Sequence, residues 1–130
     1  MLGYVTIGAN DLVASGTFYD AVLGVIGGVR KFTDGDWIGW GPATEGPDSH
    51  AVYVCKPYNK QPAVPANGLM LAFPAPSKEA VAAAYAAGLK AGGADEGKPG
   101  PRPADDPDSK FFGAYLRDPV GNKICIYFKS

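Results

Sequence analysis

One imidazole, two thiols and a few aromatic and basic side chains carry most of the chemistry this sequence could offer. His50 is the only histidine and could serve as a base or a ligand. It stands beside the turn-like Pro47-Asp48-Ser49 and reads as a strand-start or surface histidine. Cys55 and Cys125 have no CxxC spacing, and one histidine cannot make a histidine-rich metal site. The two thiols read as buried, reduced and inert. Arg102 sits in Pro-Gly-Pro-Arg-Pro, where a guanidinium could clamp a carboxylate or phosphate, although most loop arginines are merely solvated. Trp37 and Trp40 could stack on a planar ligand or pack as core, and in a regular strand only one of them can face a cleft. Gly24, Gly27 and Gly28 follow no GxGxxG or Walker pattern and read as helix-end punctuation.

The chain that must position these groups has 130 residues, which suits a single domain spanning 1–130. Its 46% apolar share and 12% aromatic share exclude disorder. Twelve basic and thirteen acidic side chains leave a net charge of -1, with no electrostatic footprint for nucleic acid or an anionic membrane. No run approaches a membrane span, and the opening MLGYVTIGAND lacks the basic and apolar regions of a signal peptide, so a cytoplasmic setting is expected.

The chain repeats itself once. GYVTIGANDLVASGTFYDAVLGVIGG, from Gly3, resembles GLMLAFPAPSKEAVAAAYAAGLKAGG, from Gly68. The alignment pairs Tyr4 with Met70, Asp11 with Ser77, Phe18 with Ala84, Tyr19 with Tyr85 and Leu23 with Leu89. After one deletion it pairs Gly27-Gly28 with Gly92-Gly93. Asp11 and Ser77 are good N-caps between a strand-like and a helix-like run. Ser15, Phe18, Tyr19, Val22, Leu23 and Ile26 then form one helical face, matched by Val81, Ala84, Tyr85, Gly88 and Leu89. Double glycine ends each helix.

Strand-like runs cover residues 4–8, 29–33, 36–40 and 50–56 in the first half, which reads βαβββ. In the second half they cover residues 69–73, 111–117 and 123–129. The last two flank Asp118-Pro119-Val120-Gly121-Asn122, a turn in which Asp118 should accept from nearby backbone N–H groups. The stretch DEGKPGPRPADDPDSK, residues 95–110, holds four prolines and reads as a surface loop with at most a short edge strand.

In order and spacing, NDLVASGTFYDAVLG, MLAFPAPSKEAVAAAYAAGLKAGG and FFGAYLRDPVGNKICIYF resemble the vicinal-oxygen-chelate superfamily of glyoxalase, bleomycin-resistance and dioxygenase proteins. The YLRDPVGN turn is the most specific of the three. The resemblance implies an α+β fold of two βαβββ modules, about 1–60 and about 67–130, related by a pseudo-twofold repeat. It implies curved mixed sheets around a cleft with helices outside, and a homodimer. Metal-using relatives place His or Glu/Gln ligands on the central strands. Those positions fall here on Tyr4, Met70 and Cys125, with the fourth near Ala51 or Tyr53. No hard divalent ion is expected on such donors, so no metal or cofactor is assigned.

Strand alternation turns Tyr4, Thr6, Gly8, Tyr53, Cys55, Met70, Ala72, Tyr115, Cys125 and Tyr127 inward. The candidate ligand-binding set is Tyr4, Thr6, Trp37, Tyr53, Met70, Arg102, Tyr115 and Cys125. These residues either line an aromatic, sulfur-bearing pocket for a small molecule or fill the space a metal would take. Phenol and thiol, with ordinary pKa values of about 10 and 8.5, are poor bases at neutral pH, which favours a binding protein. The alternative is an enzyme of the lyase, isomerase or dioxygenase type related to lactoylglutathione lyase, with catalytic residues unassigned. A ligand-free dimeric scaffold, its cleft filled by its own side chains, is a third reading.

Overall fold

Residues 1–130 are all described by the computed structural model. The chain runs β1 (Val5–Gly8), α1 (Leu12–Val25), β2 (Gly28–Asp34), β3 (Trp37–Pro42) and β4 (Val52–Cys55). It continues with β5 (Met70–Pro74), α2 (Lys78–Lys90), β6 (Ala94–Pro101), β7 (Phe111–Arg117) and β8 (Lys123–Lys129). The first sheet has the order β1-β4-β3-β2, and the second repeats it as β5-β8-β7-β6. In each module the first and last strands run parallel and the remaining pairs antiparallel, which makes both sheets mixed. No ladder joins β1 to β5, so the two sheets stay open toward each other.

Both helices start and stop as their sequences require. The Asp11 side chain accepts from Ala14 N–H at 3.1 Å and the Ser77 side chain from Ala80 N–H at 3.0 Å, each satisfying a donor that a helix start leaves free. Past the last turns, Gly27 and Gly92 take φ of 96° and 100°, a conformation that needs glycine. The α1 face buries Ser15, Phe18, Tyr19, Val22 and Leu23, and α2 buries Val81, Ala84, Tyr85 and Gly88. Leu89, read as part of that second face, is instead exposed. One cluster of 17 buried residues draws on both helices and both sheets, including Ile38, Trp40, Leu116 and Ile124.

The stretch after α2, read as a surface loop with at most a short edge strand, opens with an eight-residue edge strand, β6. It lies at the sheet edge and pairs only with β7, so its prolines need no donor on the outer side. Its register slips between Asp95 and Gly97 and again between Gly97 and Gly100, which hides the alternation that marks a regular strand. The strand read from His50 begins at Val52, leaving His50 in the preceding loop.

A buried carboxylate links the modules. Asp118 Oδ1 accepts from the N–H groups of Val120, Gly121 and Asn122 at 2.9, 3.0 and 3.0 Å. Its Oδ2 accepts from the Tyr19 hydroxyl at 2.7 Å and from Asn122 Nδ2 at 2.9 Å. Asn122 Nδ2 also donates to the carbonyl of Gly8, at 3.1 Å. Burial pushes the Tyr19 phenol well above its ordinary value, and the charge of Asp118 and its hydrogen bond push the same way.

Candidate functional site

Ladder register puts one row of four residues across the concave face of each sheet. In module one the row is Thr6, Tyr53, Gly39 and Phe32, read from β1 through β4 and β3 to β2. In module two it is Ala72, Cys125, Tyr115 and Gly97, from β5 through β8 and β7 to β6. Thr6 lies two residues after Tyr4 and Ala72 two after Met70, so Tyr53 rather than Ala51 is the counterpart of Cys125.

Each row lays one ring over a glycine, from opposite strands. In module one Phe32 of β2 covers Gly39 of β3, where a Cβ would come within 2.3 Å of the Phe32 ring. In module two Tyr115 of β7 covers Gly97 of β6, where a Cβ would meet the Tyr115 ring at 2.7 Å. Ile38, Trp40, Ala114 and Leu116, which alternate with these rows, are buried in the core against the helices.

Tyr53 is the hub of module one's concave face. The rings of Tyr4, Trp37, His50 and Phe32 lie 5.4, 5.7, 5.3 and 5.9 Å from it, mostly edge to face. The Nδ1 atom of His50 contacts the Tyr53 hydroxyl. Of the two tryptophans, Trp37 is 42% exposed on this face and Trp40 is 1% exposed in the core. Beside Trp37 opens a cavity of about 570 Å³ whose wall is largely polar, with Thr6, Asp34, Asp36, Lys56, Tyr58 and Lys60 among its residues.

Module two differs in chemistry. Arg102 lies 5.1 Å and Lys123 5.5 Å from the centre of the Tyr115 ring. Burial raises the Cys125 thiol pKa, against the opposing pull of the Tyr115 hydrogen bond and the charges of Arg102 and Lys123. Burial likewise raises the Tyr115 phenol. Next to this row Phe111 and Tyr127 stack at 5.3 Å with their planes 9° apart.

The eight residues expected from sequence therefore fall into three places. Tyr4, Thr6, Trp37 and Tyr53 share the module-one face, and Arg102, Tyr115 and Cys125 share that of module two. Met70 joins Tyr4 in a groove of about 330 Å³ at the seam between the modules. A second cavity, of about 300 Å³, lies farther along the same seam, between Thr6 and Lys123. Phe32, His50 and Lys123 were not among the expected site residues. Alternation back from Cys125 would have pointed to Lys123, whereas only the ladder reveals Phe32 and His50 beside Tyr53.

Tyr4, Tyr53, Met70 and Cys125, the positions that the resemblance implies for metal ligands, carry two phenols, a thioether and a thiol. No group of three or more His, Cys, Asp or Glu side chains gathers anywhere in the chain. A hard divalent ion does not fit this donor set.

A crystal structure of a glyoxalase/bleomycin resistance protein from Albidiferax ferrireducens T118 is 38% identical to this chain, covers 99% of both chains and has a TM-score of 0.85. The chain belongs to the glyoxalase/bleomycin resistance protein family. Two more distant structures share the family's fold. A glyoxalase-related enzyme from Fulvimarina pelagi is 21% identical, with a TM-score of 0.74 over 99% of this chain and 88% of its own. A glyoxalase/bleomycin resistance protein/dioxygenase family enzyme from Burkholderia phytofirmans PsJN is 19% identical, with a TM-score of 0.69 over 98% of each. No protein-family model and no curated protein matches the sequence. No helix of this family member is long and apolar enough to cross a membrane.

Proposed function

We propose that this protein is a small-molecule-binding member of its family that works without a metal. The carrying observation is the ring of aromatics about Tyr53, beside a cavity whose size suits an organic ligand. Phenol, indole and imidazole edges there offer stacking surface and a few hydrogen bonds, which suits a planar, partly aromatic molecule. Trp37 supplies the reporter. Adding 2-naphthol to chelator-treated protein should quench Trp37 fluorescence saturably, and Trp37→Leu should remove the effect. Binding that requires added manganese, nickel or zinc, or no saturable quenching, would refute the reading.

We further propose that two copies pair and that the protein works in the cytoplasm. Leu2, Tyr4 and Met70 are exposed along one groove of the seam and Leu69 along the other, apolar surface suited to a second copy. Both cysteines are free, which suits a reducing compartment. Sedimentation showing only monomer at about 50 µM, where even a modest interface associates, would remove the dimer.

The enzyme alternative draws on one contact, His50 Nδ1 against the Tyr53 hydroxyl. An imidazole there can relay the phenol proton to or from a bound carbonyl compound. In that case His50→Gln and Tyr53→Phe would each abolish turnover, a loss larger than any weakening of 2-naphthol binding in the same variants.

A further inference from the structure

Module two holds two cations that the protein itself leaves unpaired. Arg102 donates from Nη1 to the carbonyl of Pro101 at 2.9 Å and from Nη2 to that of Lys98 at 2.7 Å. Two of its five N–H donors are used, and both go to neutral oxygens. The ion pairs of the chain are Arg30 with Asp20, Lys60 with Asp36 and Arg117 with Glu96, so neither Arg102 nor Lys123 has a carboxylate partner. Arg117, next to Lys123 across the β7–β8 ladder, is neutralised by Glu96 at 3.0 Å. Two positive charges therefore remain on this face, both on half-buried side chains.

The sheet beneath is shaped to hold them. Arg102 follows β6 directly and Lys123 opens β8, so each reaches the Tyr115 ring from a strand that flanks β7. A Cβ on Gly97 would lie 3.3 Å from Arg102 Nη2, and one on Gly100 would lie 3.3 Å from Nη1. These bare positions let the guanidinium lie flat against β6 instead of extending into solvent. Holding two like charges near one ring costs desolvation and mutual repulsion, and a bound anion offsets both.

We propose that the module-two concave face is an anion subsite. It takes the carboxylate or phosphate of a small molecule held by Arg102 and Lys123, the two cations at the Tyr115 ring. This names the ligand class for the binding reading above and rests on it only in requiring that the face be open. The guanidinium supplies a fork and the ammonium a point charge. In module one no ring is approached by two cations, and Lys60 in the wall of the Trp37 cavity is paired with Asp36 at 3.8 Å.

Amide NMR titrations with benzoate, inorganic phosphate and the neutral benzamide test the proposal. Benzoate should shift the Gly97, Gly113 and Tyr115 signals saturably, and its affinity should fall at least tenfold in both Arg102→Gln and Lys123→Gln. Arg102→Lys, which keeps charge but loses the fork, should fall between. Phosphate acting at the same signals identifies a general anion site, and benzoate acting alone identifies a carboxylate site; both support the subsite. Benzamide binding as well as benzoate, or unchanged benzoate affinity in both Gln variants with native-like spectra, would overturn it. Quenching of Trp37 by 2-naphthol on the same samples separates this result from the binding reading, since loss of quenching alone leaves the anion site standing.

Discussion

The two modules share a strand order, a capped helix and a ring laid over a glycine, but they differ in which strand supplies the ring and in what surrounds it. Phe32, on the edge strand β2, lies over Gly39 of β3, whereas Tyr115, on β7, lies over Gly97 of the edge strand β6. Around Phe32 gather aromatics centred on Tyr53, and around Tyr115 gather Arg102, Lys123 and Cys125. Packing needs one ring per row but not a particular donor strand. A duplicated fold can therefore keep its core while its two open faces diverge, one toward stacking and one toward charge.

The largest expected effect tests the turn that only module two possesses. By sequence Asp118 is a turn residue whose loss should cost about 0.5 to 2 kcal/mol, like a lost cap. The buried Tyr19 contact raises that figure, because Asp118→Ala also leaves a phenol with no partner inside the core. The expected loss is about 3 to 5 kcal/mol in denaturant unfolding. Asp48→Ala, in the exposed loop joining β3 to β4, should stay within about 0.5 kcal/mol. Equal effects at the two sites would show that Asp118 does not join the modules.

What the sequence reveals and conceals follows the same division between local and long-range order. Caps at Asp11 and Ser77, the bounds of β7 and β8, and the inward turn of Trp37 rest on spacing within one segment, and local physics suffices for them. The strand β6 escapes because an edge position tolerates prolines and its register slips twice, so no alternation survives. The choice between Ala51 and Tyr53 needed the parallel ladder between β1 and β4, an interaction across the chain that periodicity cannot carry. His50 lies outside any strand, and its contacts with Phe32 and Tyr53 depend on how three elements meet.

A smaller effect compares glycines in the two helices. Gly88 of α2 lies where α1 crosses it, and a Cβ there would come within 2.6 Å of Leu116 Cδ1 and 3.0 Å of Val22 Cγ2. Overpacking should make Gly88→Ala cost about 1 to 3 kcal/mol despite alanine's better helix propensity. Gly24 of α1 has nothing within 4 Å of a Cβ, so Gly24→Ala should stabilise by about 0.5 to 1 kcal/mol. Thermal unfolding of the two variants should move in opposite directions. If both stabilise, the interhelical contact at Gly88 is looser than the packing indicates.

The smallest expected effect sets Cys55 against Cys125, one thiol from each concave face. Burial raises both above the ordinary thiol value, but only Cys125 has groups that pull it back: the Tyr115 hydrogen bond and the charges of Arg102 and Lys123. A raised folded value means that the native state holds its proton more tightly than the unfolded chain does. The stability this contributes is present below the unfolded thiol pKa of about 8.5 and is lost as pH climbs toward the folded value. Both cysteines should therefore be thiols at neutral pH, and stability should decline on the alkaline side. Arg102→Gln and Lys123→Gln each remove a cation that favours thiolate, so either should move the Cys125 titration upward and leave Cys55 in place. Carbon-13 shifts of labelled cysteine, followed from pH 7 to 11, a range bracketing the thiol value, read the two sites separately. Equal movement of both would mean that the cations act through the whole molecule and not on the face where they lie.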